Sequence, residues 1–176
     1  MIRVLHLGCG QSKAEGALGV DINPHSEADV ICDLDSFPYP FARNSFEVIL
    51  CEHILEHLEH VVGAVGEIHR IGVPGGRVVI DVPHYSSTFY YRDPTHKHPF
   101  SVHSLDYFVE GTSVRKFHYT DVAFRLLSVE FPPPDGAGLL KRMIYRLINR
   151  HIDVYERHFA FIFPRHLLHF ELEVVK

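Results

Sequence analysis

Short apolar runs recur along the chain between polar and glycine-rich stretches. Arg3–Leu7, Leu18–Ile22 and Asp29–Asp33 follow one another closely, and Phe46–Cys51, Arg77–Val82, Phe124–Phe131 and Leu167–Val175 come later. Each predicts a strand. Val48-Ile49-Leu50 and Val78-Val79-Ile80 lack polar alternation and suit strands buried on both faces, as in a parallel sheet. Val61–Arg70 predicts a helix, stopped by Gly72, Pro74, Gly75 and Gly76. Ser101–Phe108 predicts another, with Ser101 as its cap. Leu140, Met143, Ile144, Leu147 and Ile148 recur at helical spacing, while Lys141, Arg142, Arg146 and Arg150 fall mostly on other faces, which predicts a basic amphipathic helix. Strands alternating with helices fit an open α/β sheet.

The first predicted strand runs into Gly8-Cys9-Gly10, and the second ends on Asp21-Ile22. Glycines after a strand let the backbone approach a ligand, and an acid at the next strand's end can accept hydrogen bonds from ribose hydroxyls. Together they predict a nucleoside-containing cofactor. Only ten residues separate Gly10 from Asp21, whereas a parallel crossover with its helix usually needs at least ~10–12. The first crossover helix must be reduced to a turn or lost. Loss of that helix N-terminus removes a phosphate-binding device, so a dinucleotide suffers more than a cofactor without phosphates.

The length of 176 residues fits one domain with a real core. The net charge of −5 excludes a general nucleic-acid binder. Fifteen histidines make surface charge swing between about pH 5 and 8. No apolar run reaches the ~18 residues of a membrane span. The chain enters a strand without a basic segment and apolar stretch before it, so no signal peptide is expected. Cys9, Cys32 and Cys51, an odd set, fit a reduced, cytoplasmic protein and each closes a predicted strand.

Six pieces in order resemble the class I S-adenosylmethionine-dependent methyltransferases, in the small variant called methyltransferase type 11. They are Leu5–Gly10, Gly19-Val20-Asp21-Ile22, Cys32-Asp33-Leu34, Phe37–Phe41 with Asn44–Ile49, Leu55-Glu56-His57, and Pro74-Gly75-Gly76-Arg77-Val78. The resemblance implies an open, mostly parallel, seven-stranded Rossmann-like sheet, here with the first crossover shortened as the spacing requires, and a last strand inserted antiparallel beside the fifth. It implies S-adenosylmethionine held by Gly8, Cys9, Gly10, Asp21, Ile22, Asp33, Leu34, Cys51 and His53. Asp21 would take the ribose and Asp33, or Asp35, the adenine amino group, with Ile22, Leu34 and Ile54 about the base. The implied activity is methyl transfer to a small or medium hydroxyl or amine acceptor, saccharides included. Two departures stand out: His6 replaces the family's usual acid, and no third glycine follows Gly10.

Three other signals compete. His53-Ile54-Leu55-Glu56-His57 also spells the inverted zinc-protease pattern, in which a helix would present both histidines to zinc. Asp93-Pro94-Thr95-His96-Lys97-His98 overhangs the predicted active edge together with His84. His84, His96 and His98 are candidate bases for a hydroxyl acceptor. A structural loop or a metal site is the other reading there, although spacing fixes no third ligand. Finally, residues 135–166 read as a basic helical appendage of a single 1–176 domain. Their 139–163 stretch either packs on the sheet or touches lipid. A cofactor-binding protein without catalysis is the rival to the enzyme, motivated by His6 and the missing helix.

Overall fold

A computed structural model describes residues 3–117 and 119–176. Its centre is a seven-stranded sheet: β1 (Val4–Leu7), β2 (Leu18–Asp21), β3 (Val30–Ile31), β4 (Phe46–Glu52), β5 (Gly72–Pro83), β6 (Ala123–Glu130) and β7 (Leu167–Val175). The spatial order is β3-β2-β1-β4-β5-β7-β6. The first five strands in that order pair in parallel, and β7 runs antiparallel between β5 and β6. The expected sheet and the inserted last strand are both present.

The loop 8–17 between β1 and β2 contains turns and no helix. Side chains stabilise it instead. The carboxylate of Asp29 accepts from Gly19 N–H at 2.8 Å and pairs with Lys13 Nζ at 2.9 Å. After β3, Arg70 clamps a second helix-free stretch. Its guanidinium pairs with Glu67 and donates to the carbonyls of Tyr39 and Phe41. The first long helix is α1 (Val61–Ile71), which buries Ala64, Val65, Ile68 and Ile71 along one stripe. Its entry is capped from a distance: Asp35 accepts from the backbone N–H groups of Glu59 (3.0 Å) and His60 (2.9 Å).

The core lies on the α1 side of the sheet, with Ile49, Val78, Ile80, Phe170 and Leu172 beneath the helix layer. The opposite face differs from the sequence expectation. Val48, Leu50 and Val79 are only half-buried. They sit beside a polar ladder in which Arg77 pairs with Glu171, Arg125 with Glu173, and His169 with Asp81 at 2.7 Å. With helices missing from the early crossovers, strand apolarity alone does not secure a second covering layer.

A second correction concerns Ser101–Phe108. Serine side chains capture the local backbone there: Ser104 Oγ accepts from Ser101 N–H at 2.8 Å and Ser101 Oγ from His103 N–H at 3.1 Å. Such bonds compete with helical ones, and only one 3-10 turn, Asp106–Phe108, forms. A short helix, α2 (Thr88–Arg92), precedes this stretch. Two more, α3 (Leu139–Arg150) and α4 (Ile152–His158), separate β6 from β7. Among the described residues no helix is long and apolar enough to cross a membrane.

Candidate functional site

The C-terminal ends of β1, β2, β3 and β4 open onto a cavity of about 200 Å³, whose lining includes Gly8, Asp21, Ile22, Asp33, Leu34 and Ile54. Gly8 and Gly10 adopt φ of +66° and +51°, which an L side chain rarely tolerates. A β-carbon at Gly8 would also come within 2.6 Å of Ile54. Gly8 and Cys9 both donate to Val20 O, folding the loop back on β2. Asp21 accepts from Gly10 N–H at 2.9 Å and from Asn23 N–H at 2.8 Å. Each carboxylate oxygen keeps a second lone pair, so the acid can pin the loop and still receive ribose hydroxyls. Apolar walls with acids at two corners suit an adenosyl group.

His6 is buried under this loop, and burial pushes its pKa down. Its Nδ1 accepts from Ala14 N–H at 3.1 Å. A neutral imidazole thus holds the loop where the family places an acid.

Next to this cavity, sharing His57 with it, lies a second of about 460 Å³, lined by His53, Glu56, His57, Phe89, Arg92 and His96, among others. A third, of about 380 Å³, shares His53, Phe89 and His96 with the second and reaches His166. The three follow the sheet's carboxyl edge as one cleft, which is where open α/β sheets bind ligands. His53 sits at the tip of β4 with φ +54°, a strained position for a non-glycine residue. Its hydrogen bond to buried Glu56 (3.3 Å) raises its pKa.

The expected residues divide clearly. Gly8, Asp21, Ile22, Asp33 and Leu34 line the adenosyl-sized cavity, and Gly10 is tied to it through Asp21. Asp33 accepts from its own turn, at Asp35 N–H and Ser36 Oγ, and remains exposed. Asp35 also borders this cavity, and its two oxygens accept from backbone N–H groups at the head of α1. Cys9 and Cys51 are buried and do not line the cavity, and burial pushes the Cys51 thiol far up. His53 borders the second and third cavities, not the first.

Of the three candidate bases, only His96 lines the cleft. His84 is fully buried: Nδ1 accepts from Ser86 N–H, and Nε2–H donates to Glu156 at 3.0 Å. It fastens α4 to the end of β5 and has no free atom for proton transfer. His98 is half-buried and lines none of these cavities. The inverted zinc-protease pattern also fails locally. Residues 53–57 form a strand tip and one 3-10 turn, so no continuous helix presents His53 and His57 together. Sequence reasoning missed a different convergence, that of Glu56, His57 and His96, whose ligand atoms lie within 4.8 Å of one another.

Residues 5–80 match the family model described as a methyltransferase domain. A solved S-adenosylmethionine-dependent methyltransferase from Archaeoglobus fulgidus superposes with a TM-score of 0.60 at 21% identity, covering 97% of this chain and 85% of that one. Another from Mesorhizobium loti gives 0.58 at 16% identity, covering 97% and 90%. The [4+2]-cyclase SpnF gives 0.59 at 15% identity, covering 99% and 75%, so the likeness of fold alone does not fix the reaction. No curated protein matches the chain. The match over residues 5–80 and the shared fold make the chain similar to the S-adenosylmethionine-dependent methyltransferases, a likeness that supports S-adenosylmethionine as the ligand of this cleft. The crossovers that follow β1, β2 and β3 contain no helix in this chain.

Proposed function

We propose that this enzyme methylates a hydroxyl group of a small or medium acceptor seated in the cavity between the tip of β4 and the 89–96 segment. The observation that carries the reading is the shared wall: His57 borders both the adenosyl-sized cavity and the acceptor-sized one. When bound, S-adenosylmethionine supplies an electrophilic sulfonium methyl group. The residues then have two tasks. Gly8, Gly10 and Asp21 orient the adenosyl end, while Glu56, His57 and His96 face the acceptor oxygen and assist its ionisation. Alignment of the reacting atoms supplies much of the rate. An amine acceptor would not need this polar cluster once deprotonated, which favours oxygen. The test is methyl transfer followed by mass spectrometry over sugar nucleotides, hydroxy acids and amines. Turnover restricted to amines, or cofactor binding without turnover on any of them, refutes the reading.

The appendage 135–166 places the domain on an anionic lipid surface in this proposal. Leu139, Leu140, Met143 and Leu147 of α3 are exposed, at 83%, 73%, 64% and 63%. Phe161, Ile162 and Phe163 continue the apolar face after α4. Residues 139–165 carry six Lys and Arg against two acids, although the whole chain is negative. An apolar face flanked by cations suits an interfacial helix. Flotation with phosphatidylserine vesicles, lost in high salt and in Arg142→Glu/Arg146→Glu, is the expected result. A concentration-dependent dimer that buries this face, with no flotation, overturns it.

A further inference from the structure

We infer that Glu56, His57 and His96 form a binding site for a divalent transition-metal ion, which takes the acceptor hydroxyl as a further ligand. The inference deepens the methyl-transfer proposal and depends on it only for what the ion does.

The first support is placement. Glu56 and His57 lie on the 3-10 turn after β4, and His96 on the loop after α2. The two segments are joined by backbone bonds, since Glu56 O accepts from Lys97 N–H at 2.7 Å and His98 N–H at 3.3 Å. That join brings one oxygen ligand and two nitrogen ligands within 4.8 Å of each other. Zinc ligands ~2 Å from their ion stand ~3.3 Å apart, so side-chain shifts of about 1 Å close the set.

The second support is the hydrogen bonding behind each imidazole. His96 Nδ1 lies 2.9 Å from Tyr90 O, a carbonyl that can only accept, so the proton is on Nδ1 and the lone pair on Nε2. Thr95 Oγ1 donates to Asp93 at 2.7 Å and therefore accepts from His57 Nδ1 at 2.9 Å. His57 thereby also keeps its lone pair on Nε2. A histidine that donates its other ring N–H to a carbonyl or to a carboxylate-linked group is the usual arrangement behind a metal ligand.

Glu56 gives the third. Its side chain has no exposed surface, and Oε2 has no hydrogen-bond partner. Oε1 meets His53 at 3.3 Å and lies 4.0 Å from His96 Nε2. A buried carboxylate oxygen without a donor is unfavourable, and a cation in the cluster resolves it.

Two imidazoles and a carboxylate select zinc, iron(II) or manganese over calcium and magnesium, which prefer oxygen-rich shells. Three protein ligands leave coordination open toward the cavity that these same residues line. Arg92 on that wall offers a guanidinium to a carboxylate or phosphate. The acceptor class is thus an anionic hydroxyl compound. Ligation acidifies its hydroxyl, and the proton passes to solvent. The oxygen–methyl bond forms as the methyl–sulfur bond breaks, and the electron pair leaves on sulfur as neutral S-adenosylhomocysteine.

The experiment titrates chelator-treated full-length protein with Co²⁺, read by visible absorption, and with Zn²⁺, read by calorimetry. S-adenosylhomocysteine binding is measured on the same samples. One ion per chain is expected. Affinity falls at least about tenfold in Glu56→Gln, His57→Ala and His96→Ala, and about 10–100-fold in Thr95→Val, which removes only the support behind His57. His103→Gln, paired with Asp106 and Asp153 outside the cleft, leaves ion binding unchanged. Circular dichroism verifies folding, and Thr95→Val decides if a ligand variant does not fold. Absence of binding by both ions, or binding equal in wild type and Thr95→Val, overturns the inference. Loss of S-adenosylhomocysteine binding with ion binding intact instead overturns the methyl-transfer reading.

Discussion

Asp21 offers the sharpest test of the cofactor site, because one carboxylate has two separable tasks. Its oxygens accept from Gly10 N–H and Asn23 N–H, and the residue lines the adenosyl-sized cavity. A hydrogen bond to a charged group contributes about 1.5–3 kcal/mol. Loss of the ribose contact should therefore weaken binding about 10–150-fold. Asp21→Ala also releases Gly10, and the loop must then be ordered at binding, so its loss should reach the upper end of that range. Asp21→Asn keeps one acceptor oxygen but points its amide donors at a backbone N–H, so one loop bond is lost. Because Asp21 is half-exposed, stability should fall by only about 1–2 kcal/mol in either variant. Calorimetry with S-adenosylhomocysteine, beside thermal melts of the same samples, separates affinity from folding. Affinities within twofold of wild type in both variants would refute the assignment.

Other residues give independent checks. Asp35→Ala uncaps α1 and should cost about 1–2 kcal/mol in urea unfolding, with S-adenosylhomocysteine affinity changed less than in Asp21→Ala. Arg70→Ala releases the carbonyls of Tyr39 and Phe41 and leaves Glu67 with the Tyr39 N–H but no cation, so a loss of about 2–3 kcal/mol is expected in the same assay. His169 faces Asp81 and Glu171 on its two ring nitrogens, and the Asp81 hydrogen bond pushes its pKa up to about 9. Stability from this group is full below the ordinary histidine value of about 6.5 and declines as pH rises through about 9. His169→Gln should therefore lower the melting temperature by about 2–5 °C at pH 6, on the order of 1–2 kcal/mol for a partly screened group, and by almost nothing at pH 10. An equal difference at both pH values contradicts the charged pairing.

The seven strands were readable because strands buried in a sheet leave apolar runs, whereas the place of the last strand beside the fifth came only with the family resemblance. The helix-free first crossover was readable from spacing alone. Coverage of the second sheet face was not, since Val48, Leu50 and Val79 look the same in sequence whether a helix lies over them or water does. Ser101–Phe108 misled because its serines offer both a helix cap and competing local bonds. The histidines divided for a similar reason. His84 and His96 have equal chemistry in sequence, and only Glu156, delivered from α4, decides that one is structural. Glu56, His57 and His96 meet through backbone bonds between segments about forty residues apart, a pairing that no periodicity reports.

The missing helices also bear on which cofactor the cleft can favour. A full helix after the glycine loop would aim its positive end at the ligand, an asset for pyrophosphate and a liability for a sulfonium cation. Here turns follow Gly10, and the loop is held by Asp21 from one side and His6 from the other. Burial keeps His6 without charge, so the clamp adds no positive field beneath the loop. At the adenosyl end Asp21 and Asp33 stand against Lys97 alone among the described residues, so Coulomb attraction in that partly enclosed cavity favours a cationic cosubstrate over a phosphorylated one, while Arg92 serves the neighbouring cavity. In this reading one carboxylate, Asp21, both orders the helix-free loop and contributes to the charge that suits a sulfonium.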